Sequence, residues 1–175
     1  MSRIWYPYVY PNGTATRPSV EALWDYALGQ GVEFMGVAVD DTHHMRVDGD
    51  PPAYPGRAWV EVFSKQDDPR AICDAMREGL LYASTGVSIR RIAVTKDTYS
   101  VWPDVKGTVV SFIGRGGLGL ERATAWEGGR PASYVIHGGE GYVRVKLLGE
   151  DGKLAWTPAV PVSADHENQV RSARR

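Results

Sequence analysis

The chain has 175 residues, 43% hydrophobic and 23% charged, with 20 basic and 21 acidic side chains and a net charge of −1. That is enough apolar material for one folded domain, alone or with an appendage. The balanced charge gives no electrostatic basis for a nucleic acid or an anionic membrane as partner. No apolar run approaches the ~20 residues that span a bilayer, and residues 1–8 lack the long apolar stretch of a secretory signal. A cytoplasmic protein is expected. The single cysteine, Cys73, excludes an internal disulfide and a cysteine-cluster metal site. It is expected as small buried filler in a helix, and a lone thiol fits a reducing compartment.

In chain order, Tyr6, Tyr8 and Tyr10 alternate like an edge strand. Val20, Leu23, Trp24, Ala27 and Leu28 then fall at the i, i+3, i+4, i+7, i+8 spacing of one apolar helical face. Ser19 is placed to cap that helix and Gly29 or Gly31 to end it. Residues 34–39, FMGVAV, form a nearly unbroken apolar run that ends in Asp40-Asp41. Such a run predicts a strand covered on both faces, as in a parallel sheet. Residues 58–63 are strand-like again. Asp68 as N-cap and Pro69 at the first helical position open a second helix, with Ile72, Ala75 and Met76 on its buried side and Gly79 at its close. Strand, helix, strand, helix in this order predicts a β/α unit with parallel strands over residues 1–86.

The texture changes near residue 86. Short strands are predicted over residues 108–113, 123–126, 133–136, 142–148 and 154–162, separated by glycine turns. In residues 142–148, Val143, Val145 and Leu147 alternate with Arg144 and Lys146, the pattern of a half-exposed strand. Pro158 and Pro161 push the last strand toward an edge. Residues 87–163 therefore predict an antiparallel β-sandwich-like layer. Residues 164–175 hold little to bury and are expected as a flexible tail.

The stretch that carries chemistry is Asp40-Asp41-Thr42-His43-His44, directly after the apolar run. Side chains alternate along an extended chain, so Asp41 and His43 can project to the same side. In parallel β/α folds ligands bind just beyond the C-terminal ends of the strands. A carboxylate oxygen and an imidazole nitrogen there form a two-point grip on a divalent cation such as zinc or manganese. Asp40 and His44 then point away or support the ligands from behind. Arg57 is either a contact for an anionic substrate or a solvated loop arginine.

Asp41-Thr42-His43 resembles the last metal-ligand motif of the PHP (polymerase and histidinol phosphatase) family. Several flanking stretches are similar to that family in the same order. They are Asn12-Gly13, the helix Glu21-Ala22-Leu23-Trp24-Asp25-Tyr26-Ala27-Leu28, Gly56-Arg57-Ala58-Trp59-Val60, and Gly79-Leu80-Leu81-Tyr82-Ala83-Ser84-Thr85-Gly86. Tyr142-Val143-Arg144-Val145, Asp151-Gly152 and Ala155-Trp156-Thr157 resemble the β-rich end of its phosphoesterase branch. The resemblance covers most of residues 12–162. It implies the last strands and helices of a distorted (β/α)7-type barrel followed by the β-rich part, a divalent metal held in part by Asp41 and His43, and a small phosphate ester as substrate. PHP enzymes also carry a His-x-His pair and further ligands upstream. Here the four histidines are His43, His44, His137 and His166, so none precedes the Asp-x-His triplet. The expectation is a truncated or non-catalytic relative, weakly active or inactive as an isolated chain, with its catalytic residues unassigned. The alternative is a non-catalytic ligand- or protein-binding module built on the β-rich part. An orphaned strand edge also predicts self-association.

Other motifs favour plainer readings. The six tryptophans and nine tyrosines read mainly as core. Gly114-Arg115-Gly116-Gly117-Leu118-Gly119 has no helical pattern after it, so it reads as a turn rather than a phosphate loop. His137 reads as a turn histidine, and nothing pairs Ser84 with a base.

Overall fold

The computed structural model describes residues 18–43, 45 and 54–162. Two α-helices lie in this part of the chain. Helix α1 spans Val20–Gly29, and the Ser19 hydroxyl caps it by accepting a hydrogen bond from the Ala22 N–H at 3.0 Å. Helix α2 spans Pro69–Arg77. The Asp68 carboxylate accepts from the Arg70 and Ala71 N–H groups, both at 3.0 Å, which satisfies donors that the first turn leaves open. Both helices start where their capping residues predict. Cys73 departs from expectation: it lies on the exposed side of α2, where only Ala75 is fully buried.

The strands are β1 (Trp59–Val62), β2 (Leu81–Ser84), β3 (Ile89–Val94), β4 (Thr98–Pro103), β5 (Val109–Gly114), β6 (Leu118–Gly119), β7 (Thr124–Ala125), β8 (Ala132–Val135), β9 (Tyr142–Leu148), β10 (Leu154–Trp156) and β11 (Val160–Pro161). Eight of them form one sheet in the order β1-β2-β10-β9-β5-β6, with β11 also paired to β9 and β7 to β5. Strands β3, β4 and β8 form a second sheet in the order β3-β4-β8. Every pairing is antiparallel.

The two sheets face each other through aromatic and β-branched side chains. Phe112 of β5 meets Tyr134 of β8 with ring centroids 5.7 Å apart and Tyr99 of β4 edge-on at 6.5 Å. Val143, Val145 and Leu147 of β9 join them in the core, all fully buried. The Tyr99 hydroxyl is buried too and donates to Thr157 Oγ1 at 2.9 Å, so its polar end is satisfied inside the apolar layer. Burial raises its pKa well above the ordinary tyrosine value.

This arrangement overturns the expected α/β class with the end of a (β/α)7-type barrel. Strands β1 and β2 flank α2 in sequence, as a parallel unit would, yet they pair antiparallel, with Trp59 opposite Ser84 and Val62 opposite Leu81. They also join the same sheet as β9 and β10, so the change of texture near residue 86 falls inside one sheet. Residues 34–39 form no ladder. They run as an extended strap past α1, with Val37 58% and Val39 59% exposed. The apolar run predicted a strand covered on both faces, but it pairs with no described strand. Among the described residues no helix is long and apolar enough to cross a membrane.

Candidate functional site

The strap places the Asp-x-His triplet. Trp24 of α1 holds its first half: the indole N–H donates to the Phe34 carbonyl at 3.2 Å. Gly36 lies flat against the same ring, where an added Cβ would come within 3.1 Å of it. Asp40 holds the second half. Its carboxylate accepts from the Thr42 hydroxyl at 2.5 Å and from the Gly56 N–H at 2.6 Å, tying the strap to the loop before β1. Arg57 reinforces the clasp by donating to the Asp40 carbonyl and to the Tyr54 carbonyl. The Thr42 hydroxyl, helped by the Gly56 and Arg57 N–H groups, holds the Asp40 carboxyl below its ordinary pKa. The residue expected to support a metal is therefore a fastener of the chain, and Arg57, read as either an anion contact or a solvated loop arginine, is its partner.

Asp41 follows in the left-handed region at φ 51°, the only described non-glycine residue with positive φ. Aspartate tolerates that region better than most residues do. His43 Nδ1 lies 2.5 Å from the Asp41 main-chain oxygen. A carbonyl accepts only, so Nδ1 carries a proton and donates it there. Metal-bound histidines commonly donate their second ring N–H in this way. Both residues are exposed. His44, the other expected supporting residue, lies outside the described residues, as do Tyr6, Tyr8, Tyr10 and residues 164–175.

Among the described residues no three histidine, cysteine, aspartate or glutamate side chains converge into a metal cluster. Asp41 and His43 alone do not fit a catalytic zinc centre, which normally takes three protein ligands and a water.

A second constellation lies where α1 meets the outer face of β9, and the sequence reading missed it. Arg144 is completely buried. Its Nε and Nη2 donate in parallel to the two Asp25 carboxylate oxygens at 2.8 and 2.7 Å, and Nη2 also reaches Glu21 at 2.8 Å. Lys146 donates to the other Glu21 oxygen at 2.6 Å. The Tyr142 hydroxyl donates to Asp25 at 2.7 Å and accepts from the Gly117 N–H at 3.2 Å. The guanidinium carbon of Arg144 lies 4.8 Å from the Trp24 ring centre, a cation–π distance. An open cleft of about 280 Å³ runs along this joint, lined in part by Ser19, Glu21, Asp25, Gly117, Arg144 and Lys146.

The electrostatics follow from the pairing. Burial works against the Glu21 carboxylate, but the Lys146 hydrogen bond and the charges of Arg144 and Lys146 outweigh it and hold its pKa below the ordinary value. Burial, with donation to Asp25, pushes the Tyr142 hydroxyl up to about 12. Two carboxylates and two cations cancel, so the cleft offers no surplus charge to an ionic ligand. Its chemistry is that of a docking joint. The signal was present in the spacing: Glu21 and Asp25 stand four apart on one helical face, while Arg144 and Lys146 stand two apart on one strand face. Read separately, each pair looks solvated.

The remaining motifs take structural places. The Gly114–Gly119 stretch includes a 3₁₀ turn, Arg115–Gly117, and then strand β6, which pairs back onto β5. His137 sits exposed after β8 with its ring edge-on to Tyr134. Buried Ser84 donates to the Val87 carbonyl at 2.8 Å and accepts from the Gly86 N–H at 2.9 Å, closing a turn. No family model, no curated protein and no solved structure matches the chain.

Proposed function

We propose that this chain carries part of a divalent-cation site, formed by Asp41 and His43, of the kind used by PHP-type metal-dependent phosphoesterases. By itself it is weakly active or inactive toward phosphate esters. The observation that carries the reading is the motif's geometry. Asp41 and His43 stand two apart at the exposed end of a strap pinned at both halves, with His43 Nδ1 against the Asp41 main-chain oxygen. A bound divalent ion supplies Lewis acidity and an acidified water. The chain's own contribution is to place one carboxylate and one imidazole and to hold a proton on Nδ1.

The lone thiol, Cys73, favours a reducing, cytoplasmic setting. The exposed apolar strap favours self-association, which makes a non-catalytic interaction module the second reading.

The test is calorimetry with zinc and manganese on the full chain. Weak binding is expected in the wild type and none after Asp41→Ala with His43→Ala; superimposable isotherms for the two proteins refute the site. Release of nitrophenol from an aryl phosphate, with manganese or zinc added, is expected to stay near background. Robust turnover abolished by Asp41→Ala would instead reveal a complete centre.

A further inference from the structure

We infer that Arg144 is a positioning residue for the strap: by holding α1 and the Trp24 indole on the face of β9, it determines where the Asp41–His43 pair stands. The clause about Asp41 and His43 rests on the metal reading above; the clause about the strap does not.

Apolar burial contributes little to the docking of α1, which rests on the 3₁₀ turn Arg115–Gly117 and on the polar side chains of Tyr142, Arg144 and Lys146. Only Trp24 and Asp25 of its residues are fully buried, while Leu23 is 53% and Tyr26 67% exposed. A helix held by apolar burial alone shows a broad apolar stripe turned inward. Here the inward edge is Glu21, Trp24 and Asp25, and all three engage Arg144. The forked guanidinium is matched to Asp25 bidentately, a geometry that a lysine ammonium does not reproduce. Trp24 then passes that placement on, because its indole grips Phe34 and touches Gly36. Three residues separate Gly36 from Asp40, and the Asp40 clasp is anchored on the loop before β1. The strap is thus strung between two mounts, one of them set by a side chain more than a hundred positions away in sequence. If the first mount loosens, the strap keeps only the clasp, and the turn at Asp41 is held from one side alone.

The experiment compares the wild-type chain with Arg144→Met, Arg144→Lys and Gly36→Ala. Gly36→Ala wedges a methyl against the Trp24 ring and leaves the ion pairs untouched. The first readout needs no metal: hydrogen exchange of the Trp24 indole N–H, with the backbone amides of Val143 and Val145 as internal controls. Arg144→Met is expected to accelerate the indole exchange by about tenfold or more while the β9 controls stay protected. Arg144→Lys is expected to fall between it and wild type, and Gly36→Ala to accelerate the indole alone. Indole exchange unchanged in Arg144→Met overturns the inference, and so does acceleration in step with the β9 amides, because then no separable unit exists. Should Arg144→Met fail to fold, Gly36→Ala and Arg144→Lys decide by the same criterion. The second readout is zinc titration, in which each variant is expected to weaken binding roughly as far as it frees the indole. A wild type that binds no zinc removes the metal reading and leaves the exchange series to judge the strap.

Discussion

Arg144 concentrates several roles in one side chain: it neutralises Asp25, shares Glu21 with Lys146 and lies over Trp24. A buried ion pair is weak evidence of net stabilisation, since desolvation offsets much of the attraction, but removing one partner strands the other charge. Arg144→Met is therefore expected to cost about 3–5 kcal/mol at the α1 joint, read as local opening of the helix rather than as a shift of the urea midpoint. Adding Asp25→Leu should recover a large part of that loss, because no charge is then left unpaired. Tyr142 adds a pH dependence on the alkaline side. Its folded pKa, about 12, lies above the ordinary value of 10.0, so the folded state keeps its proton longer than the unfolded chain. The contribution is fully present below the ordinary value and lost as pH rises toward the folded one. Denaturation followed from pH 9 to 12 should show this decline in the wild type and a shallower one in Tyr142→Phe. Equal slopes would deny Tyr142 the role. At this scale the sequence was legible for the caps and opaque for the network. Ser19 and Asp68 act on backbone groups a few residues away, so their roles follow from local pattern. Arg144 acts on residues whose proximity only the fold creates.

Among the elements, α1 and the 3₁₀ turn Arg115–Gly117 fit closely because Gly117 has no side chain. It sits at φ 74°, and an added Cβ would come within 2.7 Å of the Asp25 carboxylate. Gly117→Ala combines left-handed strain with a collision at the ion pair, and is expected to destabilise the protein by about 1–3 kcal/mol. Circular dichroism melts would check this, with Gly116→Ala as comparison, since nothing lies within 4 Å of that position. The strands show why the expected barrel failed. Alternation and run length report whether a segment is extended and apolar, and they are the same for parallel and antiparallel neighbours. Residues 59–62 were correctly extended, whereas 81–84 were not read as a strand at all; the mutual direction of the two depends on the chain between them, which local pattern does not encode. Strand β9 failed in the opposite sense. Its alternation of valine with arginine and lysine implied one wet face, yet α1 brings carboxylates to that face and closes most of it.

At the level of the whole molecule, two sheets share one aromatic core while the strap keeps its apolar side chains outside it. Val32, Phe34, Val37 and Val39 are exposed in succession, with Leu23 and Tyr26 exposed on α1. Contiguous apolar surface on a small protein commonly marks a contact. A dimer or larger species is therefore expected by light scattering at high concentration. Placing a charge at Val37, as Val37→Lys, should shift it toward monomer; a monomeric mass across the whole concentration range would dismiss the idea.

The joint between α1 and β9 also orders events during synthesis. Asp25 and Arg144 lie 119 positions apart. At ordinary translation speeds the helix waits on the order of ten seconds for its partner to be made. Throughout that interval Trp24 and the strap have no sheet to rest on, and two acidic side chains four apart on one helical face repel each other. A nascent chain in that condition presents a hydrophobic stretch of the kind that chaperones hold. The late strand then does more than complete a sheet: its arrival neutralises the two carboxylates and gives Trp24 its seat.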